Sequence, residues 1–191
     1  MKIEALDSLV QKSDQPEKMA KIVQQLKDVN FSDSYMTGRE ILKLPELIQQ
    51  DETIKYATSG FYDTNTSSVL IVVTNKRILL ENKKLLFGSQ NTEIPLGMVN
   101  DISYNSGMLM AKVSITSGTK DHKISQVSKK TVTQLVDTIR HETELAKHPN
   151  EQQSSQSPSD IEQLKGLKDL LDSGILTQEE FEAKKKQILG I

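Results

Sequence analysis

The chain has 191 residues with 36% hydrophobic content, enough for one core with appendages, and 24 Lys plus Arg against 26 Asp plus Glu leave a net charge of -2. That balance lacks the basic excess of a chain built to bind a phosphate backbone, and nucleic acid is not expected as a partner. The absence of cysteine excludes disulfides, thiolate metal sites and a cysteine nucleophile, and it suits a reducing cytoplasm.

Residues 1–50 read as a helical region. Ile3, Leu6, Leu9 and Val10 share one helical stripe, and Met19, Ile22, Val23 and Leu26 repeat it after Pro16, which suits a first helical turn. Ile41, Leu42, Leu44, Leu47 and Ile48 form a third apolar cluster that Pro45 divides. Met1 to Val10 alternates charged with apolar residues and has no continuous apolar stretch, so no signal peptide is expected.

From about Thr53 short runs of Val, Ile, Thr, Tyr and Leu alternate with polar turns, which is all-β spacing. The expected strands are Ile54 to Gly60, Ser68 to Thr74, Arg77 to Glu81, Lys84 to Phe87, Asn91 to Ile94, Val99 to Tyr104, Leu109 to Thr116 and His122 to Val127. Turns are expected at Asn75-Lys76, Asn82-Lys83, Ser106-Gly107 and Ser117-Gly118, where Asn and Gly tolerate positive φ. After Ser128, Val132, Leu135, Val136 and Ile139 predict a helix with one buried face. The longest apolar run, Val69 to Val73, falls far below the roughly 20 residues of a membrane-spanning helix. A soluble chain is expected.

The order of short strands closed by one helix resembles the bacterial pleckstrin-homology-like (PH-like) domain over residues 51–146. Three places carry the resemblance: the strand, Thr74-Asn-Lys-Arg77 turn and strand within Val69 to Leu80; the Ile94-Pro-Leu to Tyr104 segment; and the helix after Ser128. It implies an α+β fold: N-terminal helices, then a small antiparallel β barrel or sandwich closed by a helix.

Residues 147–159 are polar and have the composition of a flexible linker. Structure is expected to resume at the capping box Ser159-Asp-Ile-Glu162, followed by a stripe of Leu164, Leu167 and Leu171. Gly174 fits the left-handed position that stops a helix, with Ile175 packing back on Leu170. A second capping box, Thr177 to Glu180, opens a helix with Phe181, Ile188 and Leu189 on its apolar side. Leu164, Leu167 and Leu170, then Gly174 to Phe181, then Lys184, Lys185, Ile188 and Leu189 resemble the short C-terminal domain called SHOCT over residues 160–191. Members of that family sit at the ends of bacterial or phage proteins.

The motifs of chemistry are missing. His122, His141 and His148 are scattered outside metal-ligand spacing, and the chain has no phosphate-binding glycine loop, nucleophile elbow or dinucleotide fingerprint. No cofactor, metal or catalytic residue is expected. Lys76, Arg77, Lys83 and Lys84 form the one local basic cluster, readable as an anion or lipid contact or as solubilising turn residues. Phosphoinositide-binding members of the resembled family use basic residues of the first hairpin loop, but Phe61 to Ser68 carries Asp63 and no Lys or Arg. Lipid headgroups are therefore not the favoured ligand. A tail of about 30 residues holds too little core to stand alone, so Leu164, Leu167, Leu171, Phe181, Ile188 and Leu189 are expected to contact a partner, a second copy of the chain being favoured. The reading is a non-catalytic cytoplasmic binding and assembly protein that forms a homo-oligomer. A peripheral lipid-binding module is the alternative, and an enzyme without a recognisable motif is a distant third.

Overall fold

The computed structural model describes residues 5–31, 37–63, 67–83, 89–148, 165–171, 173 and 176–189, with the side chains of 83, 89, 90 and 187–189 outside the description. It divides into two units, Met1–Lys147 and His148–Ile191.

Among the described residues the first unit opens with helices α1 (Asp7–Val10), α2 (Pro16–Asp28), α3 (Gly38–Ile41) and α4 (Leu44–Leu47). Pro16 stands in the first turn of α2, where its missing N–H costs no helical bond. Seven strands follow: β1 (Ile54–Tyr62), β2 (Ser68–Thr74), β3 (Arg77–Lys83), β4 (Ser89–Pro95), β5 (Val99–Ser106), β6 (Met110–Ser117) and β7 (Lys120–Ser128). They form one sheet in the order β4-β3-β2-β1-β7-β6-β5, every described pairing antiparallel. Helix α5 (Lys129–Lys147) closes the unit and packs on strands from both halves of the sheet. The mixed helix-and-sheet fold expected from the sequence is the fold observed.

Two apolar clusters use the two faces of this sheet. On the inner face Tyr56, Val69, Ile71, Val73, Ile78, Leu80, Val113, Ile115 and Ile124 pack with Val132, Leu135, Val136 and Ile139 of α5. On the outer face Ile54, Ala57, Leu70, Val72 and Leu79 meet Leu6, Met19, Ile22, Val23, Leu26, Phe31, Ile41, Leu44 and Ile48 from the N-terminal helices. This explains why β2 reads as an unbroken apolar run rather than an alternating one. A strand covered on both faces has no solvent side. The amphipathic helices of residues 1–50 thus find their partner within their own chain.

Two expectations at the turns are corrected. Asn82 and Lys83 belong to β3, paired with Gln90 and Ser89, and are not a turn; Asn82 is 1% exposed and its Nδ2 donates to the Ser68 carbonyl. Tertiary pairing overrides a turn-like composition there. The strand expected over Lys84 to Phe87 lies outside the described residues. Among the described non-glycine residues only Asn30 and Gln126 have positive φ, so Asn75 does not adopt the left-handed turn conformation expected of it. It closes the turn through its side chain: Oδ1 accepts the Thr53 N–H at 2.8 Å, while its own N–H donates to the Thr53 carbonyl at 3.0 Å. Gly118, at φ +58°, does occupy the left-handed region.

Asn75→Val should lower the melting temperature by the loss of about 0.5–1.5 kcal/mol, the worth of one hydrogen bond. Asn75→Ala should do the same, because what is lost is the acceptor for Thr53 and not a backbone preference. Thermal melts of both variants check this, and parent-like melts would place the strength of the turn elsewhere.

In the second unit, helix α6 (165–171) is followed by α7 (Gln178–Leu189). The second capping box forms as the sequence predicts: the Thr177 N–H donates to Glu180 Oε2 at 3.0 Å and the Glu180 N–H donates to Thr177 Oγ1 at 3.3 Å. The backbone and side-chain bonds from Thr177 hold the Glu180 carboxyl below the usual carboxylate range. The Ser159–Glu162 box, Leu164, Gly174 and Ile175 lie outside the described residues.

Candidate functional site

Three surfaces compete for a role. The first is the turn between β2 and β3. The apolar strands fix its position, and Asp51 and Glu52 are bonded to its side chains. Arg77 projects back over the chain, with its side chain 13% exposed, and grips Glu52, whose side chain is fully buried. Nε reaches Glu52 Oε1 at 3.0 Å and Nη2 reaches Oε2 at 2.9 Å, a two-pronged pair. Nη2 also donates to the Leu47 carbonyl at 2.8 Å, and Nη1 is paired with Glu93. Glu52 accepts further bonds from Thr74 Oγ1 at 2.7 Å and from the Gln49 N–H at 3.0 Å. Burial pushes the Glu52 carboxyl up, but the bonds from Arg77, Gln49 and Thr74 outweigh it and hold the group below the ordinary range. The Arg77 guanidinium is raised by its hydrogen bonds to Glu52.

Lys76 stands beside it and pairs with Asp51 at 2.6 Å. That hydrogen bond draws the Asp51 carboxyl below the ordinary range. Both described cations of the sequence-predicted basic cluster are thus engaged by carboxylates of their own chain. Lys83 is placed at the end of β3, its side chain outside the description, and Lys84 lies outside the described residues.

The second surface is the C-terminal helices. Leu167 and Leu171 of α6 and Phe181 of α7 are half-buried, and Leu170 is 40% exposed. Not one described side chain of the unit His148–Ile191 is buried. Ile188 and Leu189 end α7, with their side chains outside the description, and Leu164 is not placed.

The third surface escaped the sequence reading. At the turn between β5 and β6, Met108 is 88% exposed, Leu109 74% and Met110 42%. Three large apolar residues in a row at a glycine turn are a signal that composition alone does carry. The turn is held by backbone bonds, the Gly107 N–H donating to the Met110 carbonyl at 2.8 Å and the N–H of Lys129, at the start of α5, to the Leu109 carbonyl at 3.1 Å.

Among the described residues no group of His, Asp and Glu is arranged to hold a metal ion, and no helix is long and apolar enough to cross a membrane. His122 is half-buried, and burial lowers its imidazole from the ordinary value.

Comparison with known proteins matches residues 48–141 to the bacterial PH domain family and residues 162–189 to the short C-terminal domain family, SHOCT. No curated protein matches the chain. Among solved structures, a DUF1696 family protein with a pleckstrin-homology domain from Shewanella loihica PV-4 is similar at 15% identity and a TM-score of 0.41, over 53% of this chain and 87% of that one. A pleckstrin-homology domain from Shewanella amazonensis SB2B is similar at 16% identity and a TM-score of 0.40, over 59% of this chain and 91% of that one.

Proposed function

From a chain that carries a bacterial PH domain and a SHOCT domain, we propose a non-catalytic binding and assembly protein acting inside the cell. The β unit is the rigid scaffold, and the C-terminal helices join a second copy of the chain. One observation carries this reading: the C-terminal unit has no buried side chain among its described residues, yet presents Leu167, Leu170 and Leu171 on α6 and Phe181 on the capped helix α7. Short helices without a core are marginal in water, and apolar side chains that are not spent on an internal core are free to be spent on a partner. The ion pairs of Lys76 and Arg77 support a structural role for the turn between β2 and β3, since a lipid phosphate there would have to displace Asp51 and Glu52.

Deleting residues 148–191 removes this surface and leaves both apolar clusters of the β unit whole. The truncated chain should melt as the parent's β unit does and run as a smaller species in light scattering after size exclusion. Thr177→Ala should act in the same direction more weakly, through the loss of a cap worth about 1 kcal/mol. Parent-like assembly in the truncated chain would move the self-association surface to the β unit.

A further inference from the structure

The chain has no cysteine, so methionine carries all of its sulfur. The described methionines divide sharply by surroundings. Met19 is wholly buried in the outer-face cluster, whereas Met98 is 61% exposed and Met108, at the turn between β5 and β6, is 88% exposed. A thioether in solvent is open to two-electron oxidation, and the sulfoxide that forms is polar where the thioether is apolar.

The tip between β5 and β6 is built so that its polarity can change while its fold stays. Backbone groups close the turn, the Gly107 N–H on the Met110 carbonyl and the Lys129 N–H on the Leu109 carbonyl, and the first residues of β6 to fill the core are Ala111 and Val113. An oxygen added to Met108 therefore meets water and not the core. The charge around the tip is positive. Lys129 and Lys130 open α5 beside Leu109, both exposed, and Lys112 stands two residues along β6 from Met110, on the same exposed face by strand alternation. Residues 102–120 and 122–136 contain no Asp or Glu, and the carboxylate that reaches Lys112 is Asp63 at 3.4 Å. Around Met98 the charges balance instead, since Asp101 and Glu144 share with Arg140 and Lys147 the hollow that begins at Val99, the next residue.

We propose that Met108, with Met110 as a slower second site, is a site of reversible oxidation that switches the β5–β6 tip from apolar to polar, and that Lys129, Lys130 and Lys112 draw anionic oxidants to it. The oxidant is an anionic peroxide, for which peroxymonocarbonate serves as the case. The Met108 sulfur attacks the terminal peroxide oxygen, an S–O bond forms as the O–O bond breaks, and the sulfur gives up the two electrons that the peroxide accepts. The departing carbonate takes the hydroxyl proton and leaves as bicarbonate. Reduction back to the thioether belongs to the methionine sulfoxide reductases, with a dithiol supplying the two electrons. Lysines steer the encounter because an anion is concentrated by a positive field that a neutral oxidant does not feel. This goes beyond the assembly reading and does not depend on it.

The test treats the full chain with hydrogen peroxide alone, which is neutral, or with hydrogen peroxide and bicarbonate, which form the anion, and places each added oxygen by fragmentation in the mass spectrometer. Met108 should be oxidised ahead of Met98 under both, and Met19 should stay a thioether. The ratio of Met108 to Met98 rates should rise at least ~3-fold with the anionic oxidant and fall back at high salt, as a screened field requires. Lys129→Glu together with Lys130→Glu, both surface changes, should remove the rise and leave the rates with neutral peroxide as they were. The switch itself is read by hydrophobic-interaction chromatography. The oxidised chain should elute earlier with an unchanged melting temperature, and a methionine sulfoxide reductase with dithiothreitol should restore its retention. Met108→Leu together with Met110→Leu keeps the tip apolar and should cancel most of the shift, whereas Met98→Leu should keep it. A rate ratio that is the same with both oxidants overturns the role of the lysines. Retention unmoved by oxidation, or a lowered melting temperature with Met19 oxidised alongside Met108, overturns the switch, the second by showing damage to the core. Deleting residues 148–191 leaves this chemistry in place, so the assembly reading fails or stands separately.

Discussion

Arg77→Ala should destabilise the β unit by about 3–5 kcal/mol, the cost of removing one partner from a buried ion pair. The loss is large because of what stays behind. Glu52 is fully buried as a side chain, and without the guanidinium it keeps only the Thr74 hydroxyl and the Gln49 amide. The Leu47 carbonyl loses its donor, and Glu93 loses its cation. Arg77→Lys should recover only part of the loss, because an ammonium cannot span both Glu52 oxygens. The pH dependence has a defined sign. Glu52 titrates lower in the folded chain than its ordinary 4.5, so its contribution is present above that value and is lost as the pH falls through the folded pKa. Urea unfolding at pH 7 and at pH 3 should show a smaller difference in the Arg77→Ala variant than in the parent. Equal stability of variant and parent at pH 7 would mean that the pair is an ornament of the turn and not its anchor.

Much of this architecture is legible in the residues, and what is not has identifiable reasons. The helical stripe of Met19 to Leu26, the strand Ser68–Thr74, the closing helix and the Thr177–Glu180 box depend on neighbours within a few positions, so local pattern reports them. The partner of the N-terminal stripe depends on which face of a distant sheet is left uncovered. No local pattern encodes that. Arg77 is the plainest case: the sequence presents it beside Lys76 as one of four clustered cations, whereas its charge is answered by Glu52 and Glu93, 25 and 16 positions away. A basic run is a patch only where no carboxylate folds back onto it. The β5–β6 tip reverses the error, since Leu109 and Met110 read as strand residues with a buried side until the register shows Ala111 and Val113 filling the core instead.

Gly60 was legible only as the end of a strand, and the structure puts it inside one. In β1 it lies where the strand, still paired with β2, begins to pair with β7 as well through Phe61 and Tyr62. A Cβ at this position would stand 2.6 Å from Ile124 Cγ2, 3.0 Å from Val127 Cγ2 and 3.0 Å from the Ser125 carbonyl oxygen. The two side chains belong to the inner core and have little room to yield, and the third contact is backbone. Its relief requires β7 to move away from β1, which weakens the junction between the two halves of the sheet. Gly60→Ala should therefore cost about 1–3 kcal/mol, as overpacking does in a filled core, and Gly60→Val more than that. Gly97 provides the control, because nothing lies within 4 Å of a Cβ built there and Gly97→Ala should be close to neutral. Denaturant midpoints measure all three. Hydrogen exchange adds the location: in Gly60→Ala the amides of Phe61, Tyr62, Ile124 and Ser125 should lose protection before those of Ile71 and Val72, which sit between β1 and β3. Uniform loss across the sheet would place the damage in the core at large rather than at the junction.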